Sequence, residues 1–219
     1  MAKTFTKIGK EITIAVKQGG PDVVGNSRLR ALMAEARSEN MPKDNVEKAI
    51  KRALEKNQGD FKEVVFEGYG PHGIAYLVET ATDNNTRTVA NVRSYFTKCG
   101  GSLGTSGSVS FMFDHKCVFR IKYQEGMDLD ELQLALCECD DDPEVFIEEQ
   151  EDKDENITKN VVIYGAYESY GAIQKYIEDN GYELVSGGFE RIPNVELKDV
   201  TPEQRETLDK LTGLLEQED

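Results

Sequence analysis

Residues 43–82 read KDNVEKAIKRALEKNQGDFKEVVFEGYGPHGIAYLVETAT, and their hydrophobic period changes midway. Val46, Ala49, Ile50, Ala53 and Leu54 recur at three- and four-residue spacing, the stripe of an amphipathic helix. Asn57-Gln58-Gly59-Asp60 breaks that pattern and reads as a linker. Beyond it, Val64–Glu67 and Gly73–Thr82 read as strands separated by the turn Gly68-Tyr69-Gly70-Pro71. A helical segment therefore hands over to an α+β body near residue 57.

Upstream, Phe5, Ile8, Ile12, Ala15 and Val16 predict a helix over 2–18, stopped by Gly19-Gly20-Pro21. At 100° per residue Lys3, Lys7, Lys10 and Lys17 fall on the opposite face, with Ile14 among them as a candidate partner contact. Asn26 or Ser27 caps a second helix striped by Leu29, Leu32, Met33 and Ala36. Pro42 suits the first position of a third helix and Asp44 its first turn. Three short helices make a small bundle over 1–56.

Downstream, Thr86 is expected to cap a helix closed by Gly100-Gly101, followed by a strand over 108–113 that alternates Val109, Phe111 and Phe113. Strand 117–123, helix 128–139, strand 145–147, strand 160–164, helix 169–180 and strand 182–185 then follow the βαββαβ order of a ferredoxin-like unit. A short strand at 189–192 and a helix at 202–217 have no place in that unit. They extend an earlier one made of strand 73–82, helix 86–99 and strand 108–113, whose final strand is missing. The expected fold is α+β: an N-terminal three-helix domain (1–56) and two ferredoxin-like α+β domains. The third domain (114–188) is inserted in the second (61–113 with 189–219).

Charge divides the chain in the same place. Residues 1–56 carry 12 Lys+Arg and 7 Asp+Glu, a net of +5, whereas 57–219 carry 14 and 34, a net of -20. Because charges act over about 8–10 Å at physiological salt, the basic end can meet phosphate although the whole chain is acidic. Lys3, Lys7 and Lys10 on the first helix, Arg28 and Arg30 at the start of the second, and Lys43, Lys51 and Arg52 on the third are the candidate nucleic-acid contacts. Arg87 and Arg93 extend the set into the middle domain, where pairing with neighbouring acids is an equal alternative. No helix carries the Asn, Gln and Arg spacing of base readout.

Other classes find little support. No stretch approaches the roughly 18 apolar residues of a membrane span, so no membrane partner is expected. Four cysteines (Cys99, Cys117, Cys137, Cys139) without a CxxC pair read as the reduced thiols of a cytoplasmic protein. His72 and His115 do not make a metal site, no cofactor motif is present, and no nucleophile–base arrangement points to an enzyme. The loop Gly100–Ser108 lacks a GK[ST] ending and runs from helix to strand, so it reads as a connection whose amides remain candidates for a phosphate. Eleven of the eighteen residues between Glu138 and Glu155 are acidic, a solvated face or a docking surface for basic proteins.

The runs Asn40-Met41-Pro42-Lys43-Asp44-Asn45, Glu67-Gly68-Tyr69-Gly70-Pro71, Thr82-Asp83-Asn84, Arg87-Thr88-Val89-Ala90 and Gly100-Gly101-Ser102-Leu103-Gly104-Thr105 closely resemble the YebC family, collinearly over residues 3–193. The resemblance implies three domains around a cleft and a non-enzymatic regulator of gene expression. Its partner would be nucleic acid: DNA for a transcriptional regulatory protein, or rRNA and tRNA for a translation factor that relieves ribosome stalling at proline-rich stretches. A protein-binding adaptor that uses the acidic body is the competing class. Family members usually begin with a basic stretch ahead of the equivalent of Phe5 and end in a strand. This sequence has only Met1 to Thr4 there and ends at Asp219, so the basic surface seen here is expected to be part of the family's full site.

Overall fold

The computed structural model describes residues 2–55, 61–151 and 157–218, so the expected linker at 57–60 lies outside the described residues. The chain divides into two compact units: residues 1–58 with 115–190, and 59–114 with 191–219.

In the first unit, α1 (Ala2–Gly19), α2 (Ser27–Ser38) and α3 (Lys43–Leu54) are the three expected helices. Asn26 is the cap of α2: its side-chain oxygen accepts from Leu29 N at 3.0 Å while its amide donates to Ala15 O and Gly20 O. One buried Asn thus closes α1 and opens α2. Ile8, Ile12, Leu29, Leu32 and Ala49 form the core of the bundle.

The same unit contains β4 (Phe113–Lys122, from His115 on), α5 (Leu129–Leu136), β5 (Glu144–Glu151), β6 (Ile157–Ala166), α6 (Tyr170–Asp179) and β7 (Leu184–Pro193, to Glu190). The strand order β5-β6-β4-β7 is that of a ferredoxin-like βαββαβ sheet. β6 is antiparallel to both neighbours, pairing Val162 with Arg120 on one side and with Phe146 on the other. Its Val161-Val162-Ile163 run is fully buried, as expected of an interior strand covered on both faces. Cys117, Phe119 and Ile121 of β4 meet Leu132 and Leu136 of α5 and Ile173 and Ile177 of α6. Each such buried aliphatic or aromatic side chain stabilises the fold by about 1.5–3 kcal/mol.

Ala31 of α2 belongs to this sheet core, and Gln174 of α6 donates to Ser27 O at 2.9 Å. The helical bundle is therefore docked on the sheet.

Two expected strands, 182–185 and 189–192, are one. Gly187-Gly188, between the two expected strands, lies within β7, and a Cβ on Gly187 would stand 2.8 Å from the Phe119 ring. The glycine clears space for a core aromatic.

In the second unit, β1 (Lys62–Tyr69) and β2 (Ala75–Thr82) form an antiparallel hairpin, and the short β3 (Ser102–Leu103) pairs with β1 to give the order β2-β1-β3. Gly68 is required where β1 meets β3, since a Cβ there would fall 2.6 Å from Ser102 O. α4 (Asn85–Lys98) and α7 (Pro202–Leu215) supply Val92, Phe96 and Leu211 to a core with Phe66. Asn84, not Thr86, caps α4 by accepting from Arg87 N at 3.0 Å.

The strand expected over 108–113 is absent. Ser110–Met112 is a single 3₁₀ turn, and the chain extends only from Phe113, as the start of β4. Glu67 on β1 is the cause. Its buried carboxylate accepts from the backbone amides of Gly107, Val109 and Ser110, each at 2.8 Å, which curls the segment around one side chain. Val109 is consequently buried, while Phe111 is 69% exposed.

Candidate nucleic-acid interface

α1 and α3 pack on each other, with Thr13 Oγ1 donating to Ala49 O at 3.3 Å. Their apolar stripes are turned into the bundle core, which leaves the opposite arcs to the lysines. On α1, Lys3 and Lys7 are exposed and Lys10 and Lys17 are half-buried. Ile14, expected among these lysines as a partner contact, is only 3% exposed, so the basic face of α1 is open mainly over its first two turns.

On α3, Lys43, Lys51 and Arg52 are exposed, and so is Lys48. Lys48 lies outside the candidate set named from the sequence. Its signal was the helical wheel, on which it lies between Lys51 and Arg52. Asp44 and Glu47 share this face, so four cations outnumber two acids. The positive end of the helix dipole at the start of α3 adds to the local potential around Lys43.

The electrostatic surroundings of α1 temper its contribution. Burial raises the pKa of Glu35 on α2, the charge of Glu11 raises it further, and Lys7 acts against both. Lys7 thus has two carboxylates nearby, whereas Lys3 stands at the open end of the helix.

The two arginines of α2 are engaged within the unit. Arg28 donates to Gln18 Oε1 at 3.2 Å. Arg30 pairs with Glu178 of α6 and also donates to Val23 O and Val24 O. The remaining two candidates, Arg87 and Arg93, lie on α4 in the second unit. Arg87 forms an i,i+4 ion pair with Asp83 at 2.9 Å, and Arg93 is exposed. The eight candidates on α1–α3 share one unit.

In the Gly100–Ser108 loop, considered above as a phosphate contact, amides are committed within the protein. Gly107 N and Gly104 N both donate to Glu67, to its carboxylate and its carbonyl respectively. Burial works to raise the pKa of Glu67, but the three amides from Gly107, Val109 and Ser110 outweigh it and hold the carboxyl below its usual range. The anion in this nest is the protein's own.

The acidic stretch is partly neutralised as well. Residues 152–155 lie outside the described residues. On β5, Glu144 pairs with Lys116, Glu148 with Arg120, and Glu149 with Lys159. Asp140 is buried and accepts from Ala166 N at 2.7 Å, so it braces the end of β6.

Comparison with known proteins divides the chain between residues 56 and 61. Residues 1–56 match the model of the TACO1/YebC protein N-terminal domain, and residues 61–219 match that of the TACO1/YebC second and third domain. A protein of Parabacteroides distasonis named "Probable transcriptional regulatory protein" is 58% identical over 219 residues, all of this chain and 86% of the relative. A protein of the same name from Flavobacterium johnsoniae is 53% identical over all of this chain and 87% of its own length. The fold is also similar to the crystal structure of a conserved hypothetical protein, Aq1575, from Aquifex aeolicus. The TM-score is 0.77 and the identity 32%, over 99% of this chain and 85% of that one.

Proposed function

Because the chain belongs to the TACO1/YebC family, we propose that it is a non-enzymatic regulator of gene expression that binds duplex DNA through the outer faces of α1 and α3. One observation carries this reading. A net of +5 is concentrated in residues 1–56, where Lys3 on α1 and Lys48, Lys51 and Arg52 on α3 are exposed on faces opposite the apolar stripes and Lys43 is exposed at the start of α3. Such a surface releases counterions from phosphate and binds without reading sequence. The names of the relatives support transcription as the process.

The non-enzymatic part of the reading rests on where the perturbed titratable groups are spent. Glu67 is held by backbone amides, and Asp140 by the Ser169 side chain together with the amides of Ala166 and Asp142. Cys117 and Tyr170 are pushed to higher pKa first of all by burial, the former to about 11. These are structural uses of displaced acidity rather than a poised acid–base pair.

A ribosome-bound translation factor is the second reading. It is favoured by the net of -20 in the rest of the chain, which suits a partner carrying basic proteins beside its RNA. The adaptor reading has less support, because three acids of β5 are already paired within their own sheet.

Titration of a promoter fragment against salt tests the proposal. Changing Lys43, Lys51 and Arg52 together to Ala is expected to make the slope of log affinity against log salt shallower by about 2.7, from about 0.9 per phosphate contact. Gradient sedimentation with nuclease is the complement. Nuclease-sensitive co-migration with ribosomes and no promoter binding would replace DNA by the ribosome.

A further inference from the structure

α4 is a helix of fourteen residues that carries Arg87, Arg93 and Lys98 and no acid. It belongs to a unit, residues 59–114 and 191–219, with fourteen acidic and eight basic residues. Its inward face is Thr88, Val92 and Phe96. On the opposite side Thr86, Ala90, Arg93 and Thr97 recur at i, i+4, i+7 and i+11, and all four are exposed. Arg87, Ser94 and Lys98 form the next row.

The acids beside this helix are bonded to other side chains of α4 than Arg93 and Lys98. Asp83 holds Arg87, and Glu218 accepts from Asn91 Nδ2 at 2.7 Å and Tyr95 Oη at 2.6 Å. Among the described residues Arg93 has no ion-pair partner, and Lys98 reaches only the Tyr95 ring, 5.8 Å from its centroid. Two cations without an ion-pair partner therefore flank a smooth strip of Thr86, Ala90, Ser94 and Thr97. Arg93 and Lys98 are separated by about 7.5 Å along the helix axis and about 140° around it, so they stand at the two edges of that strip.

We propose that the outer face of α4 is a second contact for duplex DNA, in which Arg93 and Lys98 bond backbone phosphates and the small side chains between them admit the sugar–phosphate chain closely. The inference rests on the reading that DNA is the partner. Charge complementarity selects the occupant: a cationic, acid-free face in an acidic unit fits a polyanion. The absence of Asn, Gln or Arg at base-reaching spacing fits its backbone rather than its base edges.

The test uses the full chain, a short duplex and titrations at 50 and 200 mM salt. Four proteins are compared: the wild type, Arg93→Ala with Lys98→Ala, Arg93→Lys with Lys98→Arg, and Lys43→Ala with Lys51→Ala and Arg52→Ala. Loss of two phosphate contacts is expected to weaken binding, and the ratio of wild-type to variant affinity should fall about tenfold between the two salts. Arg93→Lys with Lys98→Arg should restore most of the affinity, which separates charge from damage to the helix. An unchanged salt slope in the α4 variant overturns the inference while leaving the α1–α3 reading intact if the other variant weakens. No binding by the wild type overturns both. A larger loss on duplex RNA of the same sequence than on DNA overturns the choice of DNA.

Discussion

Arg30 on α2 holds Glu178 on α6 with two arms of its guanidinium, Nε to Oε1 at 2.8 Å and Nη2 to Oε2 at 3.1 Å. The third arm, Nη1, caps Val23 O at 2.9 Å and Val24 O at 2.6 Å. Gln174 reinforces the carboxylate by donating to Oε1 at 2.9 Å and joins it to Ser27 O. A bidentate pair of this kind is charge-assisted and geometrically specific. Here it fastens the N-terminal end of the helical bundle to the sheet domain, so Arg30 has become a clamp.

Arg30→Ala is therefore expected to act on stability more than on binding. Loss of the pair and of the two carbonyl caps should lower the unfolding free energy by about 1–3 kcal/mol. Urea denaturation reads that loss. A DNA titration should show the salt slope of the wild type, in contrast to Lys43→Ala. Burial works to raise the pKa of Glu178, but Arg30 and Gln174 together hold it below the usual carboxyl range. The clamp thus contributes fully above the unfolded pKa of about 4.3 and is lost as pH falls through the lower folded value.

Glu67→Gln should loosen the loop that curls around the carboxylate. Two amides, Val109 and Ser110, share one carboxylate oxygen, and Gly107 uses the other. An amide side chain offers one oxygen and an NH2 group, which leaves at least one backbone N–H facing a donor. The expected cost is about 2–3 kcal/mol at neutral pH, with faster hydrogen exchange at Gly107, Val109 and Ser110. Since the folded pKa of Glu67 is depressed, its contribution is present above about pH 4.3 and disappears as pH falls through the folded value. The stabilities of wild type and variant should converge in strong acid; a constant gap across the pH range would count against this account.

These two sites also mark how far the sequence can be read. The three helices were legible because each carries a local stripe that depends on residues three and four apart. The βαββαβ order of the sheet domain was legible for the same local reason, and Asp83–Arg87 is an i,i+4 pair visible on paper. What could not be read depends on partners far along the chain. Val109, Phe111 and Phe113 alternate like a strand, but the carboxylate that curls them lies on β1, 42 residues before Val109. Arg30 looks like any surface cation until Glu178, 148 residues away, is found against it. Ile14 falls among lysines on the wheel yet is buried, because one helix viewed alone does not show what covers its polar side.

Thiol labelling should separate the four cysteines. Cys137 is exposed, whereas Cys99 and Cys117 are buried and Cys139 is partly covered. Burial raises the pKa of Cys117 to about 11 and also raises that of Cys139, helped there by Glu138 and Asp140. Reagents attack the thiolate, so the native protein should show one fast thiol, removed by Cys137→Ser, with the other three reacting only slowly or after unfolding. Fast labelling of Cys117 in the native state would contradict the core in which it is placed.

The paired glycines of β7 give the sharpest contrast. A Cβ at Gly187 would lie 2.8 Å from two carbons of the Phe119 ring and 3.2 Å from Ala31 Cβ, whereas one at Gly188 would meet nothing within 4 Å. Neither has the positive φ that a turn of this composition often needs. Gly187→Ala should therefore cost about 1–3 kcal/mol by overpacking, because Phe119 is fully buried and has no free direction in which to move. Gly188→Ala should stay within about 0.5 kcal/mol of the wild type, since a less flexible unfolded chain works in its favour. If Phe119 is the obstacle, Phe119→Leu should absorb part of the Gly187→Ala penalty, and the double mutant should be less unstable than the sum of the two single changes. Equal penalties at both glycines would mean that the pair serves the backbone as a turn, and strict additivity would mean that the ring is not what the missing Cβ avoids.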